Sequence, residues 1–221
     1  MAVVVPIREL VDGLPAGRAL GPVRLVCIDG PAASGKTTLA ARFAAAVATG
    51  GQTTAVVHMD DLYDGWSALV GARAEALTRR VEADLLAPLA GGCPGGYRRY
   101  DWPAAAFAER HPVPVVDVLV LEGCGSAQRA WADRTALALW VEVDRALRTR
   151  RWTQRDDDAR AAEQCRDWQV DEDAWSAADD TRARADLVID GAPLSPHDPA
   201  TEVVLARPGV ARPDVGVSVT A

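Results

Sequence analysis

Short runs of consecutive apolar residues recur along the chain, and segments with helical spacing separate them. A strand that is buried on both faces of a sheet is apolar throughout, because neither face meets water. Strands that alternate with helices are joined by right-handed crossovers and form a parallel sheet. The pattern therefore predicts a three-layer α/β/α domain with a mostly parallel, five-stranded sheet. The predicted strands are residues 23–29, 54–59, 115–121, 136–143 and 185–190, with a further candidate at 202–206.

Residues 66–90 carry apolar side chains at helical spacing, with charged residues between them. The glycine-rich segment 91–96 ends this helix and is either a mobile cover near a ligand or a long turn. Prolines and glycines after residue 206 predict a flexible tail at 207–221. We therefore assign residues 1–206 to a single domain, with an inserted helix and glycine loop at about 65–98.

Composition excludes several classes of partner. The formal net charge of the 221 residues is −7, whereas binding to nucleic acids or anionic membranes needs a broad cationic surface. We expect neither signal peptide nor membrane span, because the first residues lack the order of a signal and no run of roughly eighteen apolar residues occurs. The expectation is a soluble cytoplasmic protein. The four cysteines and three histidines lack the spacing of a zinc site.

One motif has a specific chemistry. Residues 30–37 read Gly-Pro-Ala-Ala-Ser-Gly-Lys-Thr and fit G-x-x-x-x-G-K-[ST], the P-loop, between a predicted strand and a helix-forming segment. Glycines allow backbone N–H groups to converge on phosphate oxygens, and the helix N-terminus adds a partial positive charge. We expect Lys36 to hold the β and γ phosphates and Thr37 to bind Mg²⁺. The predicted nucleotide-binding residues are Gly30, Ala32, Ala33, Ser34, Gly35, Lys36, Thr37 and Thr38.

Two carboxylates, Asp60 and Asp61, follow the second predicted strand, where open α/β sheets bind ligands. One can accept a proton from an attacking hydroxyl, and the other can orient Mg²⁺. A pair of Asp residues that caps a helix is the alternative.

The sequence resembles the uridine kinase and phosphoribulokinase group of P-loop kinases, in which an Asp-x-Phe-Tyr-like element follows the second strand. Residues 60–63 read Asp-Asp-Leu-Tyr. The resemblance implies that Asp60 is the catalytic base and that Tyr63 lies beside the substrate, whereas Asp61 falls on a variable position of the family. From their place after the strand, Asp60 is also a candidate neighbour of Mg²⁺ and Asp61 a candidate substrate contact. It also implies a P-loop NTPase fold and self-association into a homo-oligomer.

Two further segments carry the resemblance. Residues 100–107 are similar to the uridine kinase segment Phe-Asp-His-Pro-Asp-Ala-Phe, which implies that Asp101 holds sugar hydroxyls between Tyr100 and Trp102. A turn capped by Asp101 is the alternative. The run 118–123 ends in Glu-Gly, as the corresponding strand of the family does, and Glu122 there can reach Mg²⁺ through water. A buried strand followed by a polar turn is the alternative.

The run 144–156 is similar to the arginine-rich lid of these kinases, and we place the lid at about 148–160. Among its arginines, Arg151 and Arg155 are the candidates for stabilising the transferred phosphoryl group, and a solvated helix face is the alternative. The aromatics of residues 63–102 either stack on a substrate or simply pack. Together these features predict an ATP- and Mg²⁺-dependent kinase acting on a hydroxyl of a small molecule, most simply a nucleoside. A phosphotransferase for another metabolite or antibiotic, or a non-catalytic nucleotide-binding module, is the alternative.

Overall fold

The computed structural model describes residues 2–16, 19–155 and 159–206. The predicted tail at 207–221 lies outside the described residues, as do residues 156–158 of the predicted lid. Side chains are not described for residues 155 and 159–162.

Strands and helices alternate along most of the chain. The strands are β1 (Val3–Pro6), β2 (Arg24–Asp29), β3 (Thr54–His58), β4 (Gly95–Asp101), β5 (Ala106–Val113), β6 (Val118–Glu122), β7 (Thr135–Glu142), β8 (Leu187–Asp190) and β9 (Glu202–Leu205). The helices are α1 (Ile7–Asp12), α2 (Lys36–Thr49), α3 (Gly71–Arg80), α4 (Ala87–Ala90), α5 (Arg145–Arg155), α6 (Ala159–Asp179) and α7 (Thr181–Arg184). Short 3-10 turns form at Met59–Asp61 and Arg129–Trp131, and a π-helical segment, Val81–Leu86, joins α3 to α4.

Within the described residues the main sheet has the strand order β1-β9-β8-β7-β2-β6-β3. The five predicted strands, β3, β6, β2, β7 and β8, pair in parallel, which confirms the mostly parallel sheet. The sheet has seven strands and not the predicted five, because two antiparallel strands add to one edge: β9, which confirms the further candidate at 202–206, and β1. The run Val3–Pro6 was missed because four residues at a chain terminus carry too weak a pattern to predict a strand.

The sheet separates two apolar layers. Leu25 and Cys27 of β2 face a core shared with α3 and α4, while Val26 and Ile28 face a core shared with α1 and α2. This alternation follows from the two-residue period of a strand. Because both faces are covered, the strands are apolar throughout, and the three-layer architecture is confirmed. No helix in the described part of the chain is long and apolar enough to cross a bilayer.

The inserted segment between β3 and β6 forms a helix and a hairpin. The helical stretch begins at Gly71, five residues later than the predicted start at residue 66. It ends at Ala90, as predicted. The glycine-rich segment turns at residues 91–94, and Gly95 and Gly96 then open β4, which pairs with β5. A side chain at Gly95 would lie 2.8 Å from the carbonyl oxygen of Leu85, so the glycine lets the hairpin approach the helix closely.

Candidate active site

A cavity of about 1040 Å³ opens where the parallel strands end. The loop after β2, Asp60 after β3 and Glu122 at the end of β6 all border it. Open α/β sheets place their ligand sites at this edge, because the carboxyl ends of the strands and the N-termini of the helices meet there. We call this space the central cavity. One end of its wall is formed by polar groups and the other by aromatic rings. We call them the polar end and the aromatic end.

The polar end is formed by the P-loop, which leaves β2 and starts α2 at Lys36. Gly30 has a φ of 138°, and a Cβ there would lie 2.2 Å from the carbonyl oxygen of Val141, so no other residue fits without rearrangement. The predicted residues from Ala32 to Thr38 all line the cavity, whereas Gly30 is not on its described wall and borders a separate small crevice. The hydroxyl of Ser34 is buried without a hydrogen-bond partner in the described residues. Buried polar groups are normally paired, so this hydroxyl fits a site that binds an oxygen-bearing ligand such as a phosphate.

Lys36 is almost fully buried, and its Nζ donates to the carbonyl oxygen of Pro31 at 2.9 Å. Burial by itself lowers the pKa of this amine, but the acidic groups around it, including Glu172 and Glu122, outweigh burial and raise the pKa. The ammonium group therefore remains charged at the polar end.

Oxygen atoms suited to Mg²⁺ lie next to Lys36. The Thr37 hydroxyl donates to Oε1 of Glu122 at 3.1 Å, and Nδ1 of His58 lies 2.5 Å from the same oxygen. The hydrogen bond to Glu122 raises the pKa of His58 despite partial burial. Nowhere in the described ranges do three His, Cys, Asp or Glu side chains form a ready metal cage. The site fits Mg²⁺ because this ion usually takes one or two protein oxygens and completes its shell with phosphates and water.

The two carboxylates after β3 lie in different surroundings. Asp60 lines the cavity, and its backbone carbonyl oxygen accepts a hydrogen bond from Nε1 of Trp102 at 3.1 Å. Asp61 accepts a hydrogen bond from the Tyr97 hydroxyl at 3.1 Å and is not part of the described cavity wall. Burial, together with the charge and hydrogen bond of Asp61, raises the pKa of Tyr97 to about 12.

The predicted sugar-binding residues Tyr100 and Asp101 also lie away from the described cavity wall. Asp101 caps a turn, since Oδ1 accepts the N–H of Ala104 at 3.0 Å, and Oδ2 lies 3.4 Å from Nη2 of Arg99. Tyr100 is buried and packs edge-on against Trp102 at 5.3 Å between ring centroids. The structure thus brings Trp102 to the cavity and leaves Asp101 supporting the turn that carries it.

Aromatic rings from four parts of the chain form the aromatic end. Trp66 and Trp102 lie 4.8 Å apart between ring centroids, and Trp66 also contacts Trp168 at 6.2 Å and Trp152 at 6.3 Å. Tyr63 packs on Trp168 at 5.0 Å, and its hydroxyl donates to the carbonyl oxygen of Cys124 at 2.8 Å. Trp66 is the most open of the five rings, with 41% of its surface exposed. Of the five aromatics predicted from residues 63–102, Tyr63, Trp66 and Trp102 line the cavity, whereas Tyr97 and Tyr100 are not on its described wall. Trp152 of α5 and Trp168 of α6 were not predicted here.

The predicted lid arginines divide among several roles. Arg151 lines the cavity and donates to the carbonyl oxygens of Ala33 at 3.3 Å and Gly191 at 3.1 Å. Arg155 ends α5, and its side chain lies outside the described part of the structure. Arg148 is buried in an ion pair with Glu172 of α6, which nothing in the sequence pattern indicated.

Asp29, the last residue of β2, was also missed. Its carboxylate accepts N–H groups of Gly30 at 2.7 Å, Gly125 at 3.1 Å and Ala127 at 2.8 Å, and so ties the P-loop to the loop after β6. Burial raises the pKa of Asp29 from 3.8 to about 6, although these hydrogen bonds and Lys36 oppose the shift. A lone Asp at a strand end carries no distinctive sequence signal.

Comparison with solved structures shows that the fold is that of the P-loop kinases similar to uridine kinase. A possible uridine kinase from Bacillus stearothermophilus is 20% identical, with a TM-score of 0.56 over 76% of this chain and 89% of that one. A putative fructose transport system kinase from Silicibacter sp. TM1040 is 22% identical, with a TM-score of 0.53 over 77% and 92%. D-glycerate 3-kinase from Cryptococcus neoformans is 13% identical, with a TM-score of 0.55 over 84% and 94%.

No family model and no curated protein sequence matches the chain. At 13–22% identity the three structures establish the fold alone. The substrate must therefore be argued from the cavity of this chain.

Proposed function

We propose that this protein transfers the γ-phosphoryl group of ATP to a hydroxyl of a small molecule, most simply a nucleoside. The observation that carries the proposal is that Asp60, Lys36 and Glu122 border the same cavity as the P-loop, together with a wall of aromatic rings. Phosphoryl transfer depends mainly on positioning and charge stabilisation, and this cavity supplies groups for both.

In the proposed reaction the Asp60 carboxylate accepts the proton of the acceptor hydroxyl. The hydroxyl oxygen bonds to the γ-phosphorus as the bond from this phosphorus to the β–γ bridging oxygen breaks, and ADP leaves. Lys36 and the P-loop N–H groups stabilise the negative charge on the phosphate oxygens. Arg151 lines the same wall and supports the P-loop through the carbonyl oxygen of Ala33. Thr37 and Glu122 would hold Mg²⁺, which when bound would shield the phosphates and orient them.

The aromatic end supports a ring-bearing acceptor. A planar ring gains burial and favourable ring contacts against Trp66 and Trp102, whereas a carboxylate placed there loses its hydration without a matching charge. The cationic side chains on the described cavity wall are Lys36, Arg42 and Arg151. Arg42 donates to the carbonyl oxygens of Ala200 and Glu202, and Arg151 contacts the P-loop, so we assign all three to the polar end. A nucleoside therefore fits this wall better than a sugar acid such as glycerate.

A hydroxylated antibiotic or another ring-bearing metabolite fits the same wall, and a phosphotransferase of that kind is the second candidate. A module that only binds nucleotide is disfavoured, because it needs no carboxylate such as Asp60 beside the phosphate site.

The test is ATP consumption by the full chain with Mg²⁺ and a panel of nucleosides, ribose, fructose, glycerate, pantothenate and hydroxylated antibiotics. The phosphorylated product is identified by mass spectrometry. With the accepted substrate, Asp60→Asn should lower kcat by about 100-fold or more while leaving the Kd of ATP within about twofold, because the base acts only during transfer. Glu75→Gln is the matched control, since Glu75 is an exposed carboxylate of α3 in a surface ion pair with Arg79. Near-normal turnover of Asp60→Asn removes this residue from its role, and an absence of ATP binding removes the proposal.

A further inference from the structure

A buried ion pair lies behind the P-loop. Oε1 of Glu172 on α6 accepts a hydrogen bond from Nη1 of Arg148 on α5 at 2.7 Å, and each side chain is about 95% buried, with 3% and 6% of its surface exposed. A buried pair of this kind seldom gains net stability, because both charges lose their hydration. Stability alone therefore does not explain the pair, and the other contacts of Glu172 indicate its role.

The other oxygen of Glu172 reaches the P-loop. Oε2 accepts the backbone N–H of Ala32 at 2.7 Å, and the thiol of Cys124 lies 3.3 Å away. Burial raises the pKa of Cys124 well above its ordinary value, so the thiol is protonated and can act as the donor. The Glu172 carboxylate on α6 therefore accepts hydrogen bonds from a guanidinium group of α5, from a backbone N–H of the P-loop and from the thiol of Cys124 in the loop after β6.

The next residue of the P-loop has an unfavourable backbone. Ala33 has a φ of 60°, in the left-handed region that residues with a Cβ rarely adopt. Arg151 of α5 holds its carbonyl oxygen, and Glu172 holds the N–H of the residue before it. Such a conformation persists only where its surroundings enforce it, and here side chains of α5 and α6 do so.

Glu172 acts from outside the central cavity. On the described residues, the cavity wall includes neither Glu172 nor Arg148, and Glu172 borders a separate crevice of about 40 Å³ on the other side of the P-loop. The carboxylate contributes to the electrostatic surroundings of Lys36, and its direct contact with the P-loop is the hydrogen bond from the backbone of Ala32.

We propose that Glu172 is a positioning residue that fixes Ala32 and Ala33 in the conformation that receives the nucleotide phosphates, with Arg148 keeping its carboxylate in place. The inference depends on the proposed binding of nucleotide at the P-loop. It makes the position of α5 and α6 a determinant of nucleotide affinity.

The first variant is Glu172→Met combined with Arg148→Met. It removes both charges and keeps apolar bulk, a replacement that buried ion pairs often tolerate. We expect the folded double variant to bind Mg²⁺–ATP at least about 10-fold more weakly in calorimetric titration, since the N–H of Ala32 loses its acceptor. Adding Ala33→Gly should recover about threefold or more of this loss, because glycine adopts a φ of 60° without strain.

Asp173→Asn is the matched control, because it removes one charge of the exposed Arg145–Asp173 pair between the same two helices, and no described hydrogen bond of Asp173 reaches the P-loop. It should leave the Kd of ATP unchanged. A purely structural role for Glu172 would lower the thermal midpoint but leave the Kd unchanged at temperatures where circular dichroism shows a folded chain. That result would overturn the inference.

If the double variant does not fold, the hydrogen bond between Ala32 and Glu172 can be tested in the unmutated chain. Amide hydrogen exchange followed by NMR, without nucleotide, should show the N–H of Ala32 protected by its bond to Glu172. Exchange as fast as that of an exposed loop amide would overturn the inference. If the unmutated chain binds ATP but the variants bind it equally well, only the inference fails; if the unmutated chain binds no ATP, the proposed function fails.

Discussion

The two ends of the central cavity are built in different ways. The polar end consists largely of backbone from one continuous segment, the P-loop, with Lys36 and Thr37 at its close. The aromatic end consists of side chains from separate elements, with Tyr63 and Trp168 more than 100 positions apart in the chain yet 5.0 Å apart between ring centroids. Backbone N–H groups recognise phosphate whatever molecule carries it, whereas a wall of side chains can change its acceptor by substitution. Mutations at the two ends should therefore have separable effects.

The largest effect is expected at the polar end. Lys36→Met should lower kcat/KM for ATP-dependent transfer by about 1000-fold or more, because in the proposed reaction this buried ammonium group stabilises the charge on the phosphate oxygens. Steady-state kinetics of ADP formation measures the loss. A variant with more than about one tenth of the normal kcat/KM would show that the polar end does not perform the transfer.

The next effect is expected at the aromatic end. Trp66→Ala or Trp102→Ala should raise the KM of a ring-bearing acceptor by about 30-fold, which is typical of losing one stacking contact. The Kd of ATP should stay within about twofold, because the described ring contacts of Trp66 and Trp102 are with other aromatic residues. Val70→Ala, in the same loop as Trp66 and also exposed, is the control. Equal losses of ATP and acceptor affinity would show that the two ends are not independent.

A smaller effect is expected for the carboxylate that joins Thr37 and His58. Glu122→Gln should raise the Mg²⁺ concentration needed for half-maximal activity by about 10-fold, since in the proposed site this carboxylate would hold Mg²⁺ together with Thr37, whose hydroxyl donates to it. Titration of activity with MgCl₂ at constant ATP measures the shift. An unchanged Mg²⁺ requirement would remove Glu122 from the metal site.

The last effect concerns the stability of the fold and not the activity. Asp29 has a pKa of about 6 in the folded chain against 3.8 ordinarily, so between pH 4 and pH 6 the folded state holds a proton that the unfolded state has released. The contribution of this group to stability is therefore complete at low pH and falls as pH rises through that window, by up to about 3 kcal/mol. Urea unfolding of the unmutated chain and Asp29→Asn at pH 4 and pH 7 measures the difference. An equal pH dependence in both proteins would contradict the assignment.

The same contrast explains which features could be read from the sequence. The P-loop was predictable because its glycines, Lys36 and Thr37 are contiguous, and the parallel strands were predictable because burial on both faces makes them apolar throughout. Asp60 comes just after such a strand and Glu122 ends another. Both therefore lie at the edge of the sheet where the central cavity opens.

Features that depend on contacts between distant segments were missed. Trp152 and Trp168 lie in polar helices, and only the packing of α5 and α6 directs their rings toward Trp66. Glu172 stands in the charged stretch of residues 171–173, where a buried partner of the P-loop cannot be told from a solvated face. The role predicted for Asp101 from its segment alone stays a prediction, since in the structure this residue caps a turn and pairs with Arg99.

The most direct test of the proposed phosphoryl transfer is ³¹P NMR of the unmutated chain incubated with ATP, Mg²⁺ and the panel of hydroxyl compounds. We predict loss of the γ-phosphate signal with equal growth of ADP and of a new phosphate monoester, in a sample that contains a ring-bearing alcohol. Unchanged ATP in every sample, or release of inorganic phosphate without any ester, would contradict it.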